Sequence, residues 1–339
     1  MQPFRPHARD GASTRRGDDL QEQFALVKAA VLHVTAAFIL ITLFVLASRY
    51  FRETWMFATA QNLQLHLGIV CIVASLFCLL LSRNILVWAL LVASIAVTGH
   101  ALFMAQKYAV AAPGGASARE PAFRLISFNL LNINIGNGGR IADMLASSGA
   151  DFVVTVESNP LMPYREMLAK TYPYQLACDE EHYCSVLLLS KRPFLATEKR
   201  TVGQGGAEPV LMATVELDNT PVRIVGTHLS KPYFDAHHQF EMRDLASILA
   251  QIPEPVVLAG DFNATTIAPD MQRFLGQSGM HTAFPEPATW PISAGPFGAA
   301  IDHVYAREPV LLRSVSRIDD PMGSNHYGLM AEFSVAASE

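Results

Sequence analysis

The stretch Pro255-Val256-Val257-Leu258-Ala259-Gly260-Asp261-Phe262-Asn263 joins a short apolar run to a polar end. A β-branched run of this length that ends at a glycine predicts a buried strand. Asp261 and Asn263 are two residues apart at its end, and side chains alternate across a strand, so we expect both to face the same way. The stretch therefore predicts two polar groups aimed at one ligand, such as a phosphate.

Other segments of the same half of the chain repeat this arrangement. Each combines an apolar run with an amide, a carboxylate or an imidazole at or near its end. In chain order, the segments are Phe123–Asn129, Asp151–Glu157, Val222–His228, Ile301–Tyr305 with Asp302, and Ser324–Tyr327 with His326. The repetition indicates one α/β domain whose strand ends share a polar site.

The order Asn129, Glu157, His228, Asp261-x-Asn263, Asp302 and His326 resembles the endonuclease/exonuclease/phosphatase superfamily of metal-dependent phosphoesterases. The resemblance covers roughly residues 120–336. It implies a four-layered α-β-β-α sandwich, in which two packed mixed sheets are flanked by helices and the site lies at one end. The layout of the whole chain is similar to a membrane-anchored bacterial branch with three N-terminal transmembrane helices.

The resemblance also implies roles for the catalytic residues. Asp261 is expected to orient and deprotonate the attacking water, and Asn263 to donate to a non-bridging phosphate oxygen. His228 is expected to contact a phosphate oxygen. Asp302 is expected to set the tautomer of His326 and to favour its charged form.

The metal site implied by the resemblance uses Glu157 as the direct ligand, supported by Asn129. Mg²⁺ is the expected ion and Mn²⁺ the alternative, because oxygen ligands suit both. The family usually closes with Ser-Asp-His, whereas this chain has Ser324-Asn325-His326. Asn325 keeps an oxygen ligand without the charge, which predicts weaker metal binding, a changed metal preference or loss of activity.

Lys231 and Trp290 are secondary candidates for substrate binding. Lys231 follows the His228 strand and could contact a leaving phosphate, or be an exposed solvated lysine. Trp290 could line the mouth of the pocket or fill the core. His237 and His238 fall on a predicted helix and are expected at the surface.

Three runs near the N-terminus contain no charged residue, namely residues 29–48, 63–82 and 84–106. Each is about as long as the 20 residues that cross a bilayer, so we predict three transmembrane helices. A buried helical core is the alternative. The whole chain is 51% hydrophobic and only 16% charged, which favours the membrane.

Basic residues near the ends of these runs predict the orientation. Six basic residues lie on the N-terminal side: Arg5, Arg9, Arg15, Arg16, Lys28 and Arg83. Four lie on the other side: Arg49, Arg52, Lys107 and Arg119. We therefore expect a bacterial inner-membrane protein with a cytoplasmic N-terminus and a periplasmic catalytic domain. The predicted parts are a disordered tail (1–28), three spans (29–108), a linker (109–120) and the catalytic domain (121–339).

Cys178 and Cys184 flank an acidic segment between two apolar runs. A disulfide across a hairpin would suit an oxidising compartment such as the periplasm. Two free thiols, or part of a metal site with His182, are the alternatives.

These observations predict a membrane-anchored, metal-dependent phosphoesterase that hydrolyses a phosphomonoester, a phosphodiester or a pyrophosphate. A lipid-linked substrate such as a prenyl (pyro)phosphate is one candidate. A magnesium-dependent nuclease and a non-catalytic binding module are the alternatives. From residue 113 onward there are 16 Lys and Arg against 25 Asp and Glu, a net charge of −9. Nucleic acid is thus an unfavoured partner, because DNA binding depends on cationic contacts.

Overall fold

The computed structural model describes residues 11–109, 122–178, 185–206 and 208–336. The chain forms two compact units. One holds the chain up to Phe51 together with Gln64–His100, and the other holds Arg52–Leu63 and the chain from Ala101 onward. The helices, in chain order, are α1 (Gly11–Ala47), α2 (Ala58–Asn62), α3 (Gln64–Leu81), α4 (Ile85–Lys107), α5 (Gly138–Ser147), α6 (Arg165–Leu168), α7 (His237–Ala250) and α8 (Pro269–Ser278).

Among the described residues, three helices are long and apolar enough to cross a membrane: Leu20–Tyr50, Gln64–Leu81 and Ile85–Lys107. The prediction of three apolar helices is confirmed. The predicted tail covers residues 1–28, of which 1–10 lie outside the described part, and α1 begins at Gly11 within the rest. Extending an existing helix adds one hydrogen bond for each residue ordered, so the polar segment before the first span continues its helix. The predicted linker falls on residues 109–120, of which only Ala109 lies within the described part.

The strands of the second unit form two mixed sheets. The six-stranded sheet has the order β10-β11-β1-β2-β4-β3 and the five-stranded sheet the order β5-β6-β7-β8-β9. Within them, β1 is parallel to β2 and β7 is parallel to β8, while the other neighbours are antiparallel. The bounds are β1 (Phe123–Asn129), β2 (Phe152–Val156), β3 (Tyr174–Ala177), β4 (Val186–Ser190), β5 (Ala196–Val202), β6 (Glu208–Leu217), β7 (Thr220–His228), β8 (Val256–Asp261), β9 (Asp302–Ala306), β10 (Val310–Arg317) and β11 (Leu329–Val335).

Three apolar layers hold this unit together. The inner faces of the two sheets pack on each other through side chains such as Val154 and Val257. The outer face of the six-stranded sheet packs against α5, and that of the five-stranded sheet against α7 and α8. Gly226 of β7 shows how closely the sheets approach, because a Cβ there would lie 2.9 Å from Val154 Cγ1. The arrangement is the predicted α-β-β-α sandwich.

Strand direction determines which residues meet at one end of the sandwich. The parallel pair β1 and β2 ends on the same edge, and so does the pair β7 and β8, where His228 is in register with Asp261. Strand β9 runs antiparallel to β8, so its first residue, Asp302, pairs with Asp261. Residues scattered along the sequence are thereby brought to one edge.

The prediction that His238 lies at the surface is wrong. His238 is fully buried, with Nδ1 2.7 Å from Asp270 Oδ2 and Nε2 2.8 Å from the carbonyl oxygen of Phe262. Burial alone would lower the pKa of His238, but the Asp270 carboxylate raises it above its usual value. This ion pair ties α7 to α8 directly behind the end of β8. Helix periodicity could not reveal it, because the partner is supplied by another helix.

We expect His238→Ala to destabilise the protein strongly, since it leaves the buried Asp270 carboxylate without its cation. Breaking such a pair costs about 3–5 kcal/mol, which corresponds to a melting midpoint lower by roughly 6–20 °C. Thermal unfolding in detergent would measure it. The matched control is His237→Ala, whose imidazole is only partly buried. Equal midpoints for the two variants would contradict the structural role of His238.

Candidate active site

A cavity of about 450 Å³ lies within the second unit, at the edge where the strands end. It collects most of the residues that the sequence nominated. Those lining it are Glu157, His228, Lys231, Asp261, Asn263, Trp290, Asn325 and His326. Asn129 and Asp302 do not line the cavity but are hydrogen-bonded to residues that do.

The side chain of Asn129 connects two carboxylates from different strands. Its Nδ2 donates to Glu157 Oε1 at 3.2 Å and to Asp261 Oδ2 at 2.9 Å. Its Oδ1 accepts from the backbone N–H of Leu131 at 3.0 Å, which defines the orientation of the amide. Glu157 is also held by the backbone N–H of Asn132, 2.9 Å from Oε2. Asn129 thus positions Glu157 and Asp261 through its nitrogen.

Asp261 and Asn263 line the same cavity, but the reason differs from the one expected. Strand β8 ends at Asp261, and Asn263 has a positive φ of 50°. The backbone N–H of Asn263 donates to Asp261 Oδ1 at 2.8 Å, so the chain turns around the aspartate side chain. Gly260 precedes this turn with φ 152°, where a Cβ would collide with the carbonyl oxygen of Thr227. A turn, rather than strand alternation, places both side chains together.

Asp302 and His326 form a buried pair. His326 Nδ1 lies 2.8 Å from Asp302 Oδ2, and the two residues are 5% and 2% exposed. Burial alone would lower the pKa of His326, but Asp302, with further help from Asp261 and Glu157, raises it to about 9. The imidazole is therefore charged at neutral pH, and its Nε2 remains available to a ligand.

His228 and His326 flank Asp261. The Nε2 atom of each imidazole is 3.9 Å from Asp261 Oδ2, which is too long for a hydrogen bond. His228 Nδ1 is engaged 3.2 Å from Ser185 Oγ. Both Nε2 atoms can therefore reach a ligand oxygen without breaking an existing bond. This geometry suits a bound oxyanion.

Negative charge is concentrated at the base of the cavity. Burial and the neighbouring Asp302 raise the pKa of Asp261, although His326 and His228 oppose the shift. Asp302 Oδ1 is buried without a hydrogen-bond partner among the described residues. Asp261, Asp302 and His326 also offer ligand atoms within 4.8 Å of one another. A cation bound here would offset the negative charge of the carboxylates. The oxygen donors of Glu157, Asp261 and Asn325 fit the coordination chemistry of Mg²⁺ or Mn²⁺.

The secondary candidates are exposed. Lys231 and Trp290 both line the cavity, and the Trp290 side chain is 40% exposed, so it is not core filling. Asn325 is also exposed and lies on the cavity wall.

Cys178 follows β3, but Cys184 lies outside the described residues, so the disulfide remains a prediction.

Sequence analysis missed several residues of the site. The buried Ser324 hydroxyl donates to the carbonyl oxygen of Asn129 at 2.7 Å and accepts from the backbone N–H of His326. Ser185 contacts His228. Glu208 lines the cavity, and burial raises its pKa. Only Ser324 had a sequence signal, its place directly before Asn325 and His326.

Asp302→Asn should lower the pKa of His326 from about 9 towards its usual value near 6.5, because it removes the carboxylate that most favours the charged imidazole. Histidine NMR titration of the metal-free protein would measure the shift. The exposed Asp143 supplies a control, since Asp143→Asn should leave the titration unchanged. An unaltered His326 pKa in Asp302→Asn would contradict the pairing.

Solved structures share this fold at low sequence identity. D. rerio TDP2 complexed with a single-strand DNA product is 18% identical, with a TM-score of 0.53, covering 63% of this chain and 99% of that one. The human nocturnin catalytic domain with a bound sulfate anion is 16% identical, with a TM-score of 0.51 and coverage of 64% and 100%. An endonuclease/exonuclease/phosphatase protein from Beutenbergia cavernae is 17% identical, with a TM-score of 0.52 and coverage of 65% and 72%.

No curated protein matches the sequence. The model of the Endonuclease/Exonuclease/phosphatase family matches residues 126–326, which is more than half of the chain. The match begins within β1 and ends at His326, so it spans both sheets and the residues around the cavity. The chain therefore belongs to the endonuclease/exonuclease/phosphatase family.

Proposed function

We propose that the chain is a membrane-anchored, divalent-metal-dependent phosphoesterase that acts on a phosphate or pyrophosphate carried by an amphiphile. One observation carries the proposal. The Nε2 atoms of His228 and His326 flank Asp261 Oδ2 at 3.9 Å, with Glu157 lining the same cavity. Two imidazoles, one of them held in the charged form, form a receptor for phosphate oxygens.

Asp261 supplies the base. Its carboxylate has a raised pKa, which makes it a better proton acceptor, and it lines the cavity although it is 1% exposed. A water molecule beside it would lose a proton to the carboxylate as its oxygen bonds to phosphorus. The bond from phosphorus to the leaving oxygen breaks in the same displacement.

His326 and His228 stabilise the negative charge that develops on the phosphate oxygens. His326 is suited to this because Asp302 keeps its imidazole charged and correctly oriented. Asn263 cannot offer its amide freely, since its Nδ2 already donates to the carbonyl oxygen of Leu229 at 2.8 Å. Its proposed contact with phosphate therefore uses the second hydrogen of that amide.

Glu157, with the oxygen of Asn325 nearby, would hold the metal ion. Bound there, the ion would supply the positive charge that neutralises the phosphate. Asn129 contributes by positioning Glu157, because its nitrogen faces the carboxylate and its oxygen is engaged with Leu131. The carboxyl groups of Glu157, Glu208 and Asp261 line the cavity, and Asn325 adds an oxygen donor without a charge.

An amphiphilic substrate is favoured over nucleic acid. The net charge of −9 from residue 113 onward opposes binding to a polyanionic strand. The three apolar helices tether the catalytic unit near a bilayer, where the effective concentration of a membrane-held substrate is high. We place the catalytic unit on the outer face of the cytoplasmic membrane.

The full chain in detergent with Mg²⁺ or Mn²⁺ should release phosphate from farnesyl diphosphate. Glu157→Gln should lower kcat by about 10²–10⁴-fold, because the amide keeps the shape but removes the charge that holds the metal. A chelator should abolish the activity and added Mg²⁺ should restore it. Phosphate release is the measurement.

Glu166→Gln is the matched control, since Glu166 is exposed and does not line the cavity. Hydrolysis that survives both the chelator and Glu157→Gln would refute the metal role. Cleavage of plasmid DNA without action on any lipid phosphate would establish the nuclease alternative. Absence of hydrolysis with every substrate tested would favour a non-catalytic binding module.

Reporter fusions in a bacterial host would test the orientation. A periplasm-dependent alkaline phosphatase fused after the last residue should be active. The same reporter fused after Arg83, between the second and third spans, should be inactive, because that turn is proposed to be cytoplasmic. The reverse pattern would place the catalytic unit in the cytoplasm.

A further inference from the structure

The segment Arg52–Leu63 connects the first apolar helix to the second, yet it belongs to the compact unit that contains the catalytic sandwich. It contains a 3₁₀ turn, Trp55–Phe57, followed by α2, with Thr54 capping the turn by accepting from the backbone N–H of Met56. The segment lies outside residues 126–326, which match the family. Its contacts are therefore a property of this chain beyond the family core.

Asn62 anchors the segment to the loop that follows the catalytic strand. Its Oδ1 accepts from the backbone N–H of Thr265 at 2.6 Å, and its carbonyl oxygen accepts from Thr265 Oγ1 at 3.0 Å. The Nδ2 of Asn62 donates to the carbonyl oxygen of Ala58 at 2.9 Å, which ties the side chain to α2. Thr265 is four residues after Asp261, so the anchor reaches the catalytic loop itself.

Glu53 provides a second attachment, on α8. Both of its carboxylate oxygens contact the guanidinium of Arg273, with Nη2 2.8 Å from Oε1. The preceding residue, Gln272, donates to the carbonyl oxygen of Met104 at 3.1 Å, near the end of α4. Arg273 and Gln272, adjacent residues of α8, thus bind the Arg52–Leu63 segment and the end of α4, respectively.

The anchored segment forms part of the cavity wall. Thr59, Asn62 and Leu63 line the cavity together with the catalytic residues. The lining is mixed, because apolar side chains such as Trp290 and Ile301 accompany the carboxylates and imidazoles. A volume of about 450 Å³ falls within the range that holds a drug-sized ligand, so the cavity has room for more than a phosphate group.

The cavity wall is covalently continuous with an apolar helix. Leu63 lines the cavity, and the next residue, Gln64, begins an apolar helix long enough to span a bilayer. Tyr233 also lines the cavity and is 40% exposed, and its neighbour Phe234 is 68% exposed. Aromatic side chains of this kind are enriched where a protein meets the membrane–water interface.

We propose that Arg52–Leu63 is a specificity wall of the active site, which selects substrates whose phosphate is attached to a hydrocarbon chain held in the bilayer. The proposal rests on the proposed phosphoesterase function and adds the segment of the chain that recognises the hydrocarbon part of the substrate. The hydrocarbon next to the phosphate packs against Leu63, while Asn62 keeps the wall in place through Thr265. Lys231 and the imidazoles bind the phosphate end of the same molecule.

Two substrates that share a diphosphate group but differ in hydrocarbon length test the proposed specificity wall in the full chain. Farnesyl diphosphate and dimethylallyl diphosphate differ only in the length of hydrocarbon, so the ratio of their kcat/KM values reports recognition of the chain. Asn62→Ala should reduce this ratio about tenfold. Losing hydrophobic contacts equivalent to one methylene group changes the discrimination between two substrates by about that factor. The kcat/KM for dimethylallyl diphosphate should fall by a smaller factor than that for farnesyl diphosphate.

Asn84→Ala is the matched control. Asn84 also stabilises a helix beside an interhelical turn, by accepting from the backbone N–H of Val87, but it does not line the cavity. Its substitution should leave the ratio unchanged. Glu53→Arg should lower the ratio by repulsion from Arg273, and the double variant Glu53→Arg with Arg273→Glu should restore it.

A labelling experiment separates failure of this proposal from failure of the hydrolytic function. A diazirine-bearing prenyl diphosphate, photolysed with the Glu157→Gln chain in detergent, should label a peptide containing Thr59 and Leu63, and excess farnesyl diphosphate should prevent it. Such labelling without turnover by the wild-type chain supports the wall and overturns hydrolysis. Turnover with an unchanged ratio in Asn62→Ala, or labelling confined to other segments, overturns the wall.

Discussion

The amide of Asn129 is the interaction on which the site depends. Asn129 ends one strand of the six-stranded sheet and Glu157 directly follows another, whereas Asp261 ends a strand of the five-stranded sheet. A single NH₂ group donates to both carboxylates and so joins the two sheets at their polar edge. The backbone carbonyl of Asn129 also accepts from Ser324, which places the loop that carries His326. The packing of two apolar sheet faces brings these groups within reach of one another, and the hydrogen bonds then set their orientation.

Burial gives these polar groups their chemical character. Asp261 is shielded from water, and burial and the neighbouring Asp302 carboxylate raise its pKa, whereas the charged His326 opposes the shift. The result is a carboxylate with a raised pKa beside an imidazole with a raised pKa. Such a pair suits proton transfer from water together with stabilisation of a phosphate anion. The same residues on an exposed surface would keep nearly their ordinary pKa values and lack both properties.

The compact unit that contains the sandwich also includes Arg52–Leu63, which precedes α3, and the end of α4. Arg52–Leu63 and the end of α4 attach to α8 and the loop before it, so the sandwich is held at more than the single covalent connection that follows α4. These attachments join Arg52–Leu63, which contributes to the cavity wall, and the end of α4 to the sandwich. They are the physical basis of the specificity wall proposed above.

The sequence by itself determined the strands that lead to the site, the three apolar helices and eight of the residues that line the cavity, because hydropathy period and strand-end chemistry are local properties. Residues such as Glu157, His228 and Asp302 could be named from their place at the ends of apolar runs. Tertiary structure decided what depends on distant partners. It buried His238 against Asp270, turned Asn263 around Asp261, aimed the nitrogen of Asn129 at two carboxylates and set Asn62 against Thr265. No local pattern encodes the contacts of His238, Asn129 and Asn62, since each needs two segments that only the packed sheets and helices bring together.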